Sequence, residues 1–395
     1  MNAVLSVFDW LLIVAAMPLL LSALYLLLLT VLSARLPTLP AATKPWRFAV
    51  VVPAHNEAQV IERTVNSLKA LHWPAEQFQV QVIADNCTDD TAALAAAAGA
   101  SVRVRHDAVE RGKGYALRHA YEQVLTEGWA DAVVVVDADS EAAPELLAVF
   151  AAQLESGEGA LQAHYGVLNP DASWRTRLMH IAYELFIRVR SRGRERLGVS
   201  CGLRGNGMCF AVAVLRKAPH RSFSVMEDLE YGIQLADVGV RVAYTDAAAV
   251  YGEMVTDTAA SGTQRQRWEG GRSQMRRQHA LRLVGQGLRG NKLALDLALD
   301  LLVLPLAQLG ALTAVAFAAA LVLALLGGSA VPLVLTTTAL VALVIYVFRG
   351  WQLSGTGLQG LRDLLRAPLY LIWKLALLFK KGSKPTEWVR TERNK

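Results

Sequence analysis

Asp137 and Asp139 stand one residue apart directly after the apolar run AVVVV. That pairing can turn carboxylate oxygens toward a divalent ion and a diphosphate carried with it. His55, Asn56 and Glu57 follow FAVVVPA, and Asp85 ends FQVQVIAD with Asn86 after it, so acids and amides recur wherever an apolar run stops. Such groups hold a nucleobase or ribose through hydrogen bonds. Asn and Asp are also turn and helix-cap residues, the role expected of Asn86, Thr88 and Asp89. In RGKGYAL, Lys113 sits between glycines at a helix start, where it either meets a phosphate or faces water; the spacing is not that of a Walker loop. Glu227 and Asp228 precede an apolar helix in SVMEDLEYGIQLADVG. In QRQRW, Gln264, Arg267 and Trp268 recur at i, i+3 and i+4, one face of a helix.

The elements that must position these residues alternate along the chain. FAVVVPA, FQVQVIAD, SVRVRH and AVVVVDAD read as strands, and residues 58–70, 91–98 and 113–126 as the helices between them. Strand and helix in alternation predict a mainly parallel α/β sheet, which binds ligands beyond its carboxyl ends. The polar clusters fall at those ends. Residues 33–46, with Pro37, Pro40 and Pro45, form a linker ahead of this region.

The remainder is too apolar for an ordinary soluble protein. Of the 395 residues, 53% are hydrophobic and the formal charge is +6, an excess too modest to choose among nucleic acid, lipid and phosphorylated substrates. Residues 11–32 carry no charge and are long enough to span a bilayer; a start without Lys or Arg and the length argue against a signal peptide. Runs at 301–326 and 331–348, separated by GGSA, read as a helical hairpin. Arg35, Lys44 and Arg47 after the first span, with only Asp9 before it, place the amino terminus outside and the middle region in the cytoplasm. An interfacial helix over 357–381 and a basic cytoplasmic tail complete the layout. Cys87, Cys201 and Cys209 lack metal or disulfide spacing and are read as reduced thiols.

The order VVPAHNE, ADNCTDD, GKGYAL, VVDADS, MED, QRQRW resembles the membrane-bound family 2 glycosyltransferases, the group of cellulose, chitin, hyaluronan and poly-N-acetylglucosamine synthases. The likeness covers about residues 47–272. It implies a glycosyltransferase A fold, with Asp85 and Asp137 on the nucleotide and Asp139 on Mg²⁺ or Mn²⁺ at the diphosphate. His55, Glu57 and Lys113 join the donor site. Asp228, beside Glu227, stands where the family keeps its base, and Gln264, Arg267 and Trp268 match its QxxRW motif. Glu253 in YGEMV is a further metal candidate, with salt bridge and cap as alternatives. One departure is Met226, where the polysaccharide synthases usually have Thr.

The chemistry is consistent with these assignments. Attack of an acceptor hydroxyl on the anomeric carbon needs a base for the hydroxyl and positive charge for the departing diphosphate. Arg267 could fork onto phosphate and Trp268 floor an acceptor sugar. The alternative for this stretch is an interfacial helix, a role that suits Arg265, Arg272, Arg276 and Arg277 better. The expected layout is therefore a first span (1–32), a linker (33–46), the catalytic domain (47–255), the QxxRW interfacial region (256–297), the hairpin (298–348) and the interfacial helix with tail (349–395). The expected activity is inverting transfer of a hexose from a UDP sugar to a growing polysaccharide, or else one sugar to a lipid or lipid-linked acceptor. A polymer-exporting enzyme with so few spans would need to oligomerise or engage an export partner. An inactive nucleotide-binding membrane scaffold is the rival from another class, and no nucleic acid partner is expected.

Overall fold

The structure is a computed structural model that describes the backbone of residues 2–254 and 258–366 and the side chains of 4–254 and 270–366. The chain divides into two compact units. One takes the described parts of Met1–Ala34, Arg177–Gly193 and Leu299–Lys384, the other those of Arg35–Thr176 and Arg194–Ala298. In chain order the elements are α1 (Asn2–Val31), β1 (Phe48–Ala54), α2 (Ile61–Lys69), β2 (Phe78–Asp85), α3 (Thr91–Ala97), β3 (Ser101–Arg105), α4 (Lys113–Glu127), β4 (Ala132–Val135), β5 (Ser140–Ala142), α5 (Leu146–Glu155) and β6 (Ala160–Val167). There follow α6 (Trp174–Tyr183), a π-helical stretch (Glu184–Val189), α7 (Arg190–Arg196), β7 (Met208–Ala211), α8 (Val212–Lys217), α9 (Glu227–Asp237), β8 (Val242–Gly252), α10 (Thr258–Leu288), α11 (Lys292–Leu302), α12 (Leu306–Leu325) and α13 (Val331–Ser354).

The second unit is built on one sheet of eight strands among the described residues, in the order β3-β2-β1-β4-β7-β6-β8-β5. The first four run parallel, as the alternating pattern predicts. β7 is antiparallel to both β4 and β6, so the sheet is mixed. Val50, Val52, Val82 and Val134 are fully buried with Phe48, Ile61, Leu68 and Phe150, because a parallel strand covered on both faces has no polar side. Helix α2 starts three residues later than the pattern suggests: Asn56 adopts φ 56°, and the Glu57 carbonyl first accepts Val60 and Ile61 N–H in a turn.

In the first unit, α1, α12 and α13 are long and apolar enough to cross a membrane. Their core joins Leu26, Leu309, Leu343 and Tyr346 to Leu185 and Val189 of the charged stretch between α6 and α7. Glycine permits the close approaches: a Cβ at Gly193 would stand 2.7 Å from the Leu29 carbonyl oxygen, and one at Gly350 would collide with Leu185. The Asp9 carboxylate accepts the Ser329 N–H at 3.0 Å and fixes the turn between α12 and α13. Two boundaries differ from expectation. Residues 298–302 belong to α11, since Pro305 restarts the helix, and α13 runs past Phe348 until Gly355 caps it at φ 66°. A helix covers 357–366; the rest of the expected interfacial helix and the tail lie outside the described residues.

Candidate active site

The polar clusters meet at the carboxyl edge of the sheet. Asp137 lies two residues beyond β4. Because β7 is antiparallel to β4, with Val135 opposite Met208, the loop that precedes β7 arrives at the same edge. That loop is LRGNG, and Asn206 within it is fully buried. Its Oδ1 accepts the Asp137 N–H at 3.1 Å and its Nδ2 donates to the Ser140 hydroxyl at 2.8 Å. Gly205 holds φ 79°, a backbone state that L side chains rarely adopt.

Lys113, the first residue of α4, is the centre of the cluster. Its ammonium donates to Asp137 Oδ1 at 2.5 Å and to the Gly205 carbonyl at 2.6 Å, and stands 3.7 Å from Glu227 Oε1. Asp228 approaches the same spot: a Cβ on Gly205 would lie 3.4 Å from the ammonium and 3.5 Å from Asp228 Oδ2. Glu227 and Asp228 open α9, and Asp228 Oδ1 accepts the Leu229 N–H at 2.7 Å.

Burial pushes all three acids upward. Glu227 rises to about 7 through desolvation, against the pull of Lys113 and with a further push from Asp228. Asp137 rises for the same first reason, opposed by Lys113 and reinforced by Asp139. Asp228 is raised by desolvation, opposed by the Leu229 N–H and then by Lys113 and Arg204. Lys113 itself is raised: burial opposes its charge, but Asp137, Glu227 and Asp228 outweigh that. One cation thus holds three carboxyl groups of perturbed basicity, the condition for acid–base work.

Asp85 is placed differently from a free nucleotide contact. It is buried at the end of β2, and Arg105 Nη1 donates to its Oδ1 at 2.7 Å; the same guanidinium reaches Asp107 and Glu110. His55 Nδ1 lies 2.7 Å from the Asp85 carbonyl oxygen, so these two expected donor-site residues are neighbours. The Glu57 N–H donates to the Thr91 hydroxyl. Asp89 accepts the Thr91 and Ala58 N–H groups, closing a turn ahead of α3, whose N-cap residue is Asp90. Glu253 forms an ion pair with Arg63 at 2.9 Å, the salt-bridge alternative of the sequence reading. The cysteines are all unpaired.

Among the described residues no three metal-ligating side chains come together. Asp137 and Asp139 offer two carboxylates whose mutual repulsion a cation would relieve. A hard divalent ion takes about six oxygens and often binds through one or two carboxylates plus substrate phosphates, so the donor set fits a metal shared with a diphosphate. Gln264, Arg267 and Trp268 belong to α10, but their side chains lie outside the described residues. Arg105 is the residue that sequence reasoning missed, because SVRVRH alternates like a half-exposed strand. The two glycines and amide of LRGNGMCFAV read in the sequence as a loop under the acceptor or a turn into a strand; the structure shows the loop leading into β7, and the contact of Asn206 with Asp137 is what the sequence did not reveal.

The sequence profile described as "Glycosyltransferase like family 2" matches residues 45–271. The chain is 24% identical over 240 residues to the probable glycosyltransferase YdaM of Bacillus subtilis (strain 168), covering 57% of this chain and 55% of that protein. It is 29% identical over 240 residues to the beta-monoglucosyldiacylglycerol synthase of Synechocystis sp. (strain ATCC 27184 / PCC 6803 / Kazusa), covering 58% and 49%. Similarity to the probable glucomannan 4-beta-mannosyltransferase 4 of Oryza sativa subsp. japonica is 22% over 247 residues, covering 60% and 45%. The chain spans about half the length of these curated relatives. Among solved structures, the mannosyltransferase PcManGT from Pyrobaculum calidifontis, in complex with GDP-Man and Mn2+, matches with a TM-score of 0.57 at 18% identity, over 95% of this chain and 100% of that one. The shared feature at that identity is the fold, the glycosyltransferase A architecture that the motifs imply, here with a mixed sheet.

Proposed function

We propose, from the premise that this chain belongs to the glycosyltransferase-like family 2, that it moves a hexose with inversion from a nucleoside diphosphate sugar to a hydroxyl of a lipid or lipid-linked acceptor. Membership makes it a glycosyltransferase; the acceptor, the stereochemistry and the residue roles are the proposal. The observation that carries it is the gathering of Asp137, Lys113, Glu227 and Asp228 at one sheet edge.

In this reading Asp228 accepts the proton of the acceptor hydroxyl as its oxygen bonds to the anomeric carbon and the bond to the diphosphate breaks. A single displacement by an external hydroxyl inverts the centre. Lys113 keeps Asp137 and Glu227 in place and offers charge to the leaving diphosphate. A divalent ion, held by Asp139 and Asp137 together with the diphosphate, would supply further positive charge there; the Mn2+ in the PcManGT complex supports that choice. His55, Glu57 and Asp85 serve the nucleoside. Gln264, Arg267 and Trp268 serve the diphosphate and the acceptor. The orientation that places the catalytic lobe in the cytoplasm rests on the basic residues after the first span.

Polymer synthesis is the first expectation from the motif, and similarity to the probable glucomannan 4-beta-mannosyltransferase 4 favours it. Against it stands the first unit, where side chains of α1, α12, α13 and the stretch from α6 to α7 pack into one core. A filled core favours adding a single sugar, the kind of product named for the Synechocystis relative. The test supplies purified full-length chain with radiolabelled UDP- and GDP-hexoses, divalent ion and membrane lipid. One sugar per acceptor is expected, and a ladder of products would overturn the lipid reading. Asp228→Asn should slow transfer by about 10²- to 10⁴-fold, the usual worth of a positioned base; an unchanged rate would overturn the assignment.

A further inference from the structure

QRQRW is followed by two glycines, and the structure gives them different surroundings. A Cβ on Gly270 would meet nothing within 4 Å. One on Gly271 would stand 2.5 Å from Cγ and 3.2 Å from Sδ of Met226, the residue just before Glu227 and Asp228. Ordinary carbon contacts are about 3.5–4.0 Å, so Met226 occupies the space that a side chain at position 271 would need.

The contact belongs to a longer alignment. Arg282 donates to Asp237 Oδ1 at 2.7 Å, and these residues are 45 apart, as are Met226 and Gly271. Gln286 reaches the same Asp237 oxygen at 3.4 Å, so α10 follows α9 in the same direction from Met226 to Asp237, a rise of about 16 Å at 1.5 Å per residue. Met275 and Leu283, one and three turns beyond Gly271, are buried on α10. Gln264, Arg267 and Trp268 precede Gly271 by seven, four and three residues, the spacing of a single helical stripe.

We propose that Met226 seated on Gly271 is the latch that sets the QRQRW turn of α10 against the acid pair at the start of α9. Met226 and Gly271 are therefore positioning residues for transfer. This inference rests on the roles proposed above for Asp228 and the QRQRW face. It also accounts for the departure from Thr at 226: an unbranched thioether fills a seat that only glycine leaves open.

The test is a set of four variants of the full-length chain, assayed for kcat, donor KM and thermal stability. Gly270→Ala and Gly271→Ala raise helix propensity alike, so they differ only in the clash. Gly270→Ala should stay within about twofold of wild type. Gly271→Ala must shift Met226 or the helix that carries it by about 1 Å to restore contact distance, which should cut kcat about 10- to 100-fold while donor KM and stability hold. Met226→Ala, which empties the seat, should lose roughly three- to tenfold, and the double variant should match it rather than Gly271→Ala. A Gly271→Ala enzyme as active as Gly270→Ala, or a double variant as slow as Gly271→Ala, overturns the latch. Should Gly271→Ala not fold, Met226→Ala decides alone, and wild-type kcat overturns it. No transfer by the wild-type chain from any nucleotide sugar would instead sink the enzymatic reading, and this inference with it.

Discussion

Replacing Glu227 with glutamine should remove a pH dependence of stability that the wild-type chain carries. Glu227 is 9% exposed and is held at about 7 by burial, against an ordinary value of 4.5. Between those two values the folded chain binds a proton at this site that the unfolded chain has already released, so stability falls as pH rises. The loss begins near the unfolded value and is complete above about 7. At 1.36 kcal/mol per decade, the interval corresponds to roughly 3 kcal/mol. Glutamine resembles the protonated acid and does not titrate. Whatever constant offset the substitution brings, the stability of Glu227→Gln minus that of wild type should therefore rise by roughly 3 kcal/mol from about pH 5 to about pH 8. Asp137 and Asp228 are also raised and tilt both curves in the same direction; because Asp228 and Asp137 push on Glu227, removing its charge eases their own ionisation, which adds to the difference with the same sign. Denaturant unfolding of the purified full-length chain in detergent, followed across that range, measures it. Parallel curves for the two proteins would refute a buried, reluctantly charged Glu227. A difference of the opposite sign would show that Lys113 stabilises the carboxylate more than burial penalises it.

Two further substitutions probe the buried ion pairs. Arg105→Met leaves Asp85 at 7% side-chain exposure without its guanidinium, and truncating one partner of a buried pair costs about 3–5 kcal/mol; the unfolding midpoint should drop accordingly, and adding Asp85→Asn should recover most of it. In the apolar unit, Arg190 reaches Asp300 at 3.3 Å and the Tyr346 hydroxyl at 3.0 Å, so Arg190→Leu should lower thermal stability in detergent and Asp300→Asn should restore it, whereas an unchanged melting curve would mean that the pair is hydrated.

The sheet edge was legible because a parallel strand buried on both faces is an unbroken apolar run, and the first polar residue after it must lie at the rim. His55, Asp85 and Asp137 were found in that way. Arg105 escaped because its burial is a tertiary fact: its partner Asp85 lies 20 residues earlier, on the neighbouring strand. The loop holding Asn206 was legible as a glycine-flanked turn ahead of an apolar run, but its contact with Asp137 was not. Met208–Ala211 is only four residues long, and nothing in MCFA announces an antiparallel strand inserted into a parallel sheet, yet that reversal carries RGNG to Asp137. Lys113 was recognised by its glycine-flanked position, but hydrogen bonding to Asp137 makes it the organiser of the acids as well as a charge for phosphate.

The charged stretch TRLMHIAYELFIRVRSRG shows where composition stops being informative. Its arginines and glutamate fail every test for a membrane helix, and yet Arg177–Gly193 belongs with the apolar unit. A charge leaves water at a cost of several kcal/mol unless a partner repays it. Here Arg177 meets Asp363, Glu184 meets Arg188, and Arg190 meets Asp300. The acids Asp363 and Asp300 lie 186 and 110 residues away, so no local window contains both halves of those pairs. The π-helical turns at Glu184–Val189 add to the difficulty. They rotate the following residues off the 3.6-residue stripe, so a helical wheel drawn through this stretch mixes its faces. Leu185 and Val189 nevertheless enter the same core as Leu26 and Leu343, and Arg190 donates to the hydroxyl of Tyr346 in that core. What marks this segment as internal is therefore the pairing of Arg177, Glu184, Arg188 and Arg190 with a distant acid or a helical neighbour. The loss and rescue expected for Arg190→Leu and Asp300→Asn measure that directly.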